Sequence, residues 1–258
     1  MSLDEIRKVP DFIFPDWQVD AKVVALTTTR KLGSSRGHFE GLNIATHVGD
    51  DIECVIRNRD LLLEKLDDNV HMQWLEQVHG TDIVEARKGI EVITADACYT
   101  SQPGIACCVT TADCLPVLIT NKAGDMVAGV HAGWRGLSAG ILERTLEKFS
   151  CSSRDIFVWL GPAIGPCHFE VGADVKEAYL TSASKEIVLM LGECFVPTEI
   201  PGKFMANLYG LAKIKLNQLG VKNISGGEFC TFCEENDFYS YRRQAKTGRM
   251  VSLTYIKP

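Results

Sequence analysis

The stretch that decides the reading of this chain is TTADCLPVLITNKAGDMVAGVHAGWRG, residues 110–136. Apolar and β-branched residues fill Pro116–Thr120 and Met126–His131, each of strand length, and a Gly-rich turn from Gly133 to Gly136 leads into a helical pattern. A strand, a tight turn and a helix start expose the strand-end residue and aim backbone N–H groups outward, where an anion can bind. Pro116 sits inside a strand-like run, which is tolerated at an edge, a strand start or a bulge. Two reactive side chains flank these elements, Cys114 before the first strand and His131 seventeen residues later at the end of the second.

A third such side chain, His79, lies upstream in WLEQVHGTD. Taken singly, each has an ordinary reading, a small buried thiol or a satisfied histidine. Together, two imidazoles and a thiolate form the donor set of a transition metal, most naturally Zn(II), which favours nitrogen and sulfur in a tetrahedral array. Three protein ligands leave the fourth position open, so convergence of His79, Cys114 and His131 implies a catalytic rather than a structural site.

Working outward, short strands are expected at Val23–Thr29, Ile83–Ala86, Ile105–Thr110, Phe157–Leu160 and Val251–Ile256. Helices are expected at Cys54–Leu66, Ser138–Phe149, Ala173–Thr181 and Leu208–Leu219, the last stopping at Gly220. The order is mixed, without a strict βαβ repeat, which implies an α+β fold with helices covering one face of each sheet. No internal repeat, low-complexity tract or charged linker divides the chain, so residues 1–258 read as one domain.

Composition narrows the function classes. Hydrophobic residues are 46% and charged residues 23% of the 258, an ordinary globular balance. The net charge of −6 and the lack of a long basic run argue against nucleic acid or an anionic membrane as partner. The N-terminal MSLDEIRKVPDFIFPDW lacks a signal-peptide apolar core, and no run reaches membrane-spanning length, so a cytoplasmic enzyme of small molecules is expected. The ten cysteines are scattered and read as reduced thiols. Cys107 and Cys108 cannot face the same side of a strand, and Cys230 and Cys233 form a lone CxxC without a second pair at zinc-ribbon spacing, read as structural.

The segments LNIATHVGDD (42–51), NRDLL (58–62), WLEQVHG (74–80), TTADCLPVL (110–118), VAGVHAGWRGL (127–137), LGPAIGPCHFEVG (160–172) and YSYRRQAKTGRMVSL (239–253) closely resemble the YfiH-type laccase-domain family. That family is also described as multicopper polyphenol-oxidase-like proteins, purine nucleoside phosphorylases and peptidoglycan editing factors. The resemblance runs from about Thr27 to Ile256. It implies a layered αββα sandwich like that of toxin deamidases, with a metal on His79, Cys114 and His131. It also implies phosphorolysis of adenosine, inosine and methylthioadenosine, with deamination of adenosine.

The functional labels of the family conflict. A multicopper oxidase needs several coppers and many more imidazoles than the six histidines present. Zn(II) is therefore the expected cofactor, and Cu(II), which outcompetes zinc for N/S ligands, the metal acquired in vitro. For phosphorolysis the expected partners are a purine nucleoside and phosphate. Arg59, Arg135 and the Gly133–Gly136 turn are candidates for the phosphate, and Asn43 and Arg59 resemble polar pocket residues of the family. The metal would polarise the base or activate water, which also accommodates deamination.

The alternative is a cysteine hydrolase or amidase acting on a cell-wall precursor, with Cys114 as nucleophile and His131 or His79 as base. His47 reads as the end of a polar turn. Arg242 and Arg243 either reach the site or tie down the C-terminal strand. Where relatives often carry Asp-Leu before the penultimate helix, this chain has Asn207-Leu208, so no carboxylate role carries over.

Overall fold

The computed structural model describes residues 11–89, 92–181 and 185–258. The deciding stretch folds into strand Leu115–Asn121, strand Val127–Ala132 and the short helix Trp134–Ser138. The two strands pair antiparallel with His131 opposite Pro116. Pro116 is the second residue of its strand, a position where a missing N–H is accommodated. This hairpin is the middle of a six-stranded sheet ordered Asn223–Gly226, Ile156–Leu160, Leu115–Asn121, Val127–Ala132, Ala97–Thr100 and Ile83–Glu85.

A five-stranded sheet, ordered Phe12–Ile13, Val23–Thr28, Met250–Ile256, Ile105–Thr111 and His71–Gln73, packs on it face to face. Strand alternation sorts the side chains between layers. Cys107 joins Val23, Cys98, Val127 and Ile256 between the sheets, whereas its neighbour Cys108 joins Leu62 and Leu66 under the helix Ile52–Leu63. On the other sheet, Leu118 packs with Ala25 and Trp159 between the sheets. Leu115, Val117 and Ile119 face outward to Leu142, Leu211 and Leu216 on the helices Ile141–Leu146 and Leu208–Gln218. Helix, sheet, sheet and helix thus form the α+β layered sandwich. At Gly129 the sheets approach so closely that a Cβ would lie 3.0 Å from the Cys107 carbonyl oxygen.

Two helices are fixed by side-chain caps, which satisfy first-turn N–H groups. Asp51 accepts from Glu53 N–H, and Asn207 accepts from Gly210 N–H, each at 2.9 Å. Asn207 therefore has a capping role. The helix expected at Ser138–Phe149 is shorter, Ile141–Leu146, and is separated from the preceding short helix Trp134–Ser138 by Gly140, which takes a left-handed φ of 96°. Helices Ala173–Leu180 and Lys185–Glu193 and a three-stranded sheet of Glu170–Gly172, Lys203–Ala206 and Phe195–Pro197 flank the six-stranded sheet. Among the described residues no helix is long and apolar enough to cross a membrane.

Candidate metal centre

The hairpin register carries Cys114 and His131 to the same end of the six-stranded sheet, since Cys114 lies two residues before Pro116 and Pro116 pairs with His131. His79 enters from the loop after Leu75–Glu76. One ligand atom from each of the three residues lies within 4.8 Å of the others. Cys114 Sγ is 3.7 Å from His79 Nε2, close to the ~3.5 Å edge of a tetrahedron with Zn–S about 2.3 Å and Zn–N about 2.0–2.1 Å. The two imidazoles meet edge to face, at 75° with centroids 4.8 Å apart. That tilt turns nitrogens toward a common point rather than stacking the rings.

Two of the residues forming the site hold positive φ without being glycine, His79 at 62° and Asp113 at 95°. Such conformations persist only where surrounding bonds over-determine them. Asp113 is held by Thr231 Oγ1 and Arg242 N–H, both donating to its carboxylate at 2.7 Å, and its carbonyl accepts from Ile164 N–H at 2.9 Å. His79 is held by Asp96, a residue the sequence reading did not single out.

Asp96 is fully buried just before strand Ala97–Thr100. Its carboxylate accepts N–H bonds from Val78 at 3.2 Å, His79 at 2.9 Å and Gly80 at 2.6 Å. The same carboxylate lies 2.7 Å from His131 Nδ1. One side chain thus shapes the loop that presents His79 and fixes the ring of His131, leaving Nε2 free to ligate.

Burial pushes the Cys114 thiol up, but the charge and hydrogen bonds of His131 and His79 outweigh it and hold it at about 6. Burial likewise disfavours charge on His131, yet Cys114 and Asp96 raise it to about 9. Asp96 is lowered, since the bonds from His131, Gly80 and His79 overcome its burial. Without metal, the resting pair at neutral pH is thiolate and imidazolium. The thiolate is already the ligating form, and only the His131 proton has to leave for a divalent cation to take its place. The donor set therefore fits a metal.

These residues open into a cleft of about 500 Å³ whose walls include Trp134, Arg135, Phe169, Tyr241, Arg242 and Arg249. Arg135 lies over the Trp134 ring at 4.3 Å. Arg242 reaches the cleft while its Nη1 donates to the carbonyls of His168 and Glu170. Arg243 does not line it: its guanidinium donates to the carbonyls of Thr231, Phe232 and Phe238 and ties that loop together. His47, expected as a turn residue, is a cleft residue, with its pKa lowered by burial and by Arg249 and Arg59. Arg249 was not anticipated.

Two expected substrate residues lie elsewhere. Asn43 is fully buried, its amide donating to Ala45 O and Asp50 and accepting from the N–H groups of Ala45 and Arg249. It holds the backbone of a cleft arginine rather than lining the cleft. Arg59 donates Nε to Ile44 O at 2.9 Å and lies over Trp74 at 4.0 Å, on the wall of a different cavity.

The Gly-rich turn is explained by close approach. A Cβ on Gly133 would lie 3.0 Å from His79 Cδ2 and 3.2 Å from Cys114 Sγ, and one on Gly136 would lie 2.6 Å from Gly80 O. Gly136→Ala is expected to push Gly80 and with it His79, costing about 1–3 kcal/mol of stability, as overpacking does. Zinc affinity should fall with it. Thermal melts and competition against a chromogenic chelator measure both, and unchanged values would show that the loop yields freely.

The family model described as multi-copper polyphenol oxidoreductase laccase matches residues 24–257. The chain is 45% identical to a purine nucleoside phosphorylase of Pseudomonas aeruginosa, over 95% of this chain and 98% of that protein. It is 41% identical to the purine nucleoside phosphorylase YfiH of Escherichia coli, again over 95% of this chain and 98% of that one. A crystal structure of a Neisseria meningitidis protein assigned to DUF152 superposes with a TM-score of 0.90 at 40% identity, covering 96% of this chain and all (100%) of that one. The chain belongs to the multi-copper polyphenol oxidoreductase laccase family, the laccase-domain family that includes the YfiH proteins.

Proposed function

We propose that this chain is a metal-dependent purine nucleoside phosphorylase acting on adenosine, inosine and methylthioadenosine, with adenosine deamination at the same centre. One observation carries the reading: a three-donor N/S set without a fourth protein ligand among the described residues opens into a cleft that also holds three arginines and aromatic walls. The names of the relatives support the same activity. Phosphorolysis breaks the bond between C1′ and the purine nitrogen and forms a bond from C1′ to a phosphate oxygen. The chain must therefore bind a dianion beside a planar base.

Arg135, Arg242 and Arg249 supply the cationic donors, and Trp134, Phe169 and Tyr241 offer ring faces for a purine. Arg242 and Arg249 each spend Nη1 on backbone carbonyls and keep further N–H donors. His79, Cys114 and His131 hold the metal, and Zn(II) suits their donor atoms best. When bound, such a cation supplies Lewis acidity toward the substrate or water. The negative net charge and the small cleft favour small-molecule substrates over nucleic acid, in keeping with a cytoplasmic enzyme.

Arg135→Met should raise KM for phosphate about 10–100-fold, the worth of a charge-assisted hydrogen bond of roughly 1.5–3 kcal/mol. KM for the nucleoside should change far less. Equal changes in both would remove Arg135 from the phosphate site.

The reading is tested on protein purified from metal-unsupplemented cells, by zinc content and by adenine release from adenosine with and without phosphate. Bound zinc, phosphate-dependent release and its loss on chelation support it. Release that ignores both phosphate and chelator overturns it. A second reading has its own observation: Cys114, His131 and Asp96 are arranged as a thiolate, an imidazolium and an orienting carboxylate. In that case the chelated protein would hydrolyse an amide such as a cell-wall precursor.

A further inference from the structure

The lone CxxC acquires partners in the fold. Cys167 and His168 lie in the loop between strands Ile156–Leu160 and Glu170–Gly172, and Cys230 and Cys233 in the turn following Asn223–Gly226. Cys167 Sγ is 3.7 Å from Cys230 Sγ and 3.5 Å from Cys233 Sγ. His168 Nδ1 is 3.2 Å from both Cys167 Sγ and Cys233 Sγ. All four donor atoms lie within 4.8 Å of one another. A tetrahedral zinc with Zn–S about 2.3 Å and Zn–N about 2.0–2.1 Å sets edges of about 3.8 Å between sulfurs and about 3.5 Å from sulfur to nitrogen. The measured edges fall within a few tenths of an ångström of these.

We infer that Cys167, His168, Cys230 and Cys233 form a second Zn(II) site, closed by four protein ligands and therefore structural. Gly165 N–H donates to Cys230 Sγ at 3.2 Å, a bond that favours thiolate. A Cβ on Gly165 would lie 3.1 Å from both Cβ and Sγ of Cys230, so a side chain there would press Cys230 aside by a few tenths of an ångström. Phe232 stacks on the His168 ring at 4.0 Å and 15°, fixing its orientation. A disulfide would use two of the sulfurs and leave the third thiol and the imidazole gathered for no purpose. An iron–sulfur cluster, with several irons and sulfides inside it, would hold its thiolates farther apart. Three thiolates and one imidazole at single-ion spacing select zinc.

The site joins two segments that wall the catalytic cleft. The Cys167 loop also carries Ile164 and Phe169, and the chain after Cys233 carries Tyr241 and Arg242. The junction is held besides by Thr231 N–H donating to Ala163 O at 3.0 Å, and by the Tyr209 hydroxyl, which accepts from Ala163 N–H and reaches Phe229 O. Loss of the zinc should therefore loosen the cleft wall without unfolding the chain.

The decisive protein is the full chain with His79→Ala and Cys114→Ala, which lacks the first centre and keeps this cluster whole. Metal analysis after gel filtration should find one zinc per chain there, against two in the unmodified protein. Adding Cys233→Ser should bring it to none, with circular dichroism showing the fold retained. Cobalt substitution of the double variant should give thiolate-to-metal charge-transfer bands of a tetrahedral three-sulfur site. A zinc-free double variant overturns the inference. So does zinc that survives Cys233→Ser, or the mass deficit of a disulfide among these cysteines in the freshly purified protein.

Discussion

Cys114→Ala is expected to yield a folded protein that has lost its catalytic metal and releases no measurable adenine from adenosine. Cys114 is only partly buried and faces the cleft, so its truncation opens no core cavity, and melting should shift by no more than a few degrees. Two imidazoles without the thiolate form a much poorer zinc site. His131→Ala should act the same way on metal and activity, with a larger stability cost, because His131 is 3% exposed and shares the Asp96 carboxylate. The variant that separates the two functional readings is His79→Ala. His79 is a candidate ligand but is not the imidazole that Asp96 orients, so thiol chemistry at a Cys114–His131–Asp96 triad would be weakened by its loss yet remain measurable, whereas metal chemistry would not survive. Metal content, thermal melts and adenine release on the three variants decide the matter. An inactive, metal-free but folded His79→Ala protein is the expected result.

The description multi-copper, which the family model carries, meets a physical obstacle in this chain. Its six histidines are dispersed. His79 and His131 share the centre with Cys114, and His47 lines the same cleft. His168 belongs to the thiol cluster, and His71 lies on an edge strand with its Nε2 buried and without a hydrogen-bond partner. A coupled copper centre needs its imidazoles gathered around several ions.

What could be read from residues alone was local. Cys114 and His131 flank one hairpin, and its pairing necessarily brings them to one end of the sheet, so two of the three candidate ligands follow from neighbouring residues. Core strands such as Ile105–Thr111 and Met250–Ile256 announce themselves by buried β-branched and apolar runs. Strands Ala97–Thr100 and Asn223–Gly226 do not, being short and mixed with polar residues. Asn43 and Arg59, which resemble polar pocket residues of the family, satisfy nearby backbone groups outside the cleft, and a motif alone does not tell the two placements apart. His47, Arg242 and Arg249 come together only through the pairing of distant segments, and periodicity carries no sign of it. The same holds for Cys167 and His168, more than sixty residues before the CxxC they meet.

Asp96 was the least legible residue and has the second large effect. In ITADACYT, residues 93–100, it is one acid between two alanines, and its only signal is that a charge occupies a position otherwise fit for a buried strand. Asp96→Ala removes the acceptor of three backbone N–H groups and of His131 Nδ1. Each buried donor left without a partner costs about 1–3 kcal/mol, and water will reach some of the half-exposed 78–80 loop, so a loss of about 3–5 kcal/mol is expected. For a chain of this size that lowers Tm by about 6–20 °C.

Asp96→Asn tests orientation apart from stability. With its oxygen in the place of Oδ2 the amide still accepts from Val78 and Gly80, but its NH2 then faces the His79 N–H and the His131 Nδ1 that Oδ1 held, so the charge is gone and His131 has lost its acceptor. Zinc affinity should fall about 10–100-fold, as for other partners of metal-ligating histidines. The two variants should therefore differ in kind: Ala loses both fold stability and metal, whereas Asn loses metal affinity with a smaller loss of stability. Chelator competition and thermal melts on both proteins check this. If Asp96→Asn binds zinc as tightly as the unmodified chain, strand packing alone orients His131, and Asp96 acts only to staple the His79 loop.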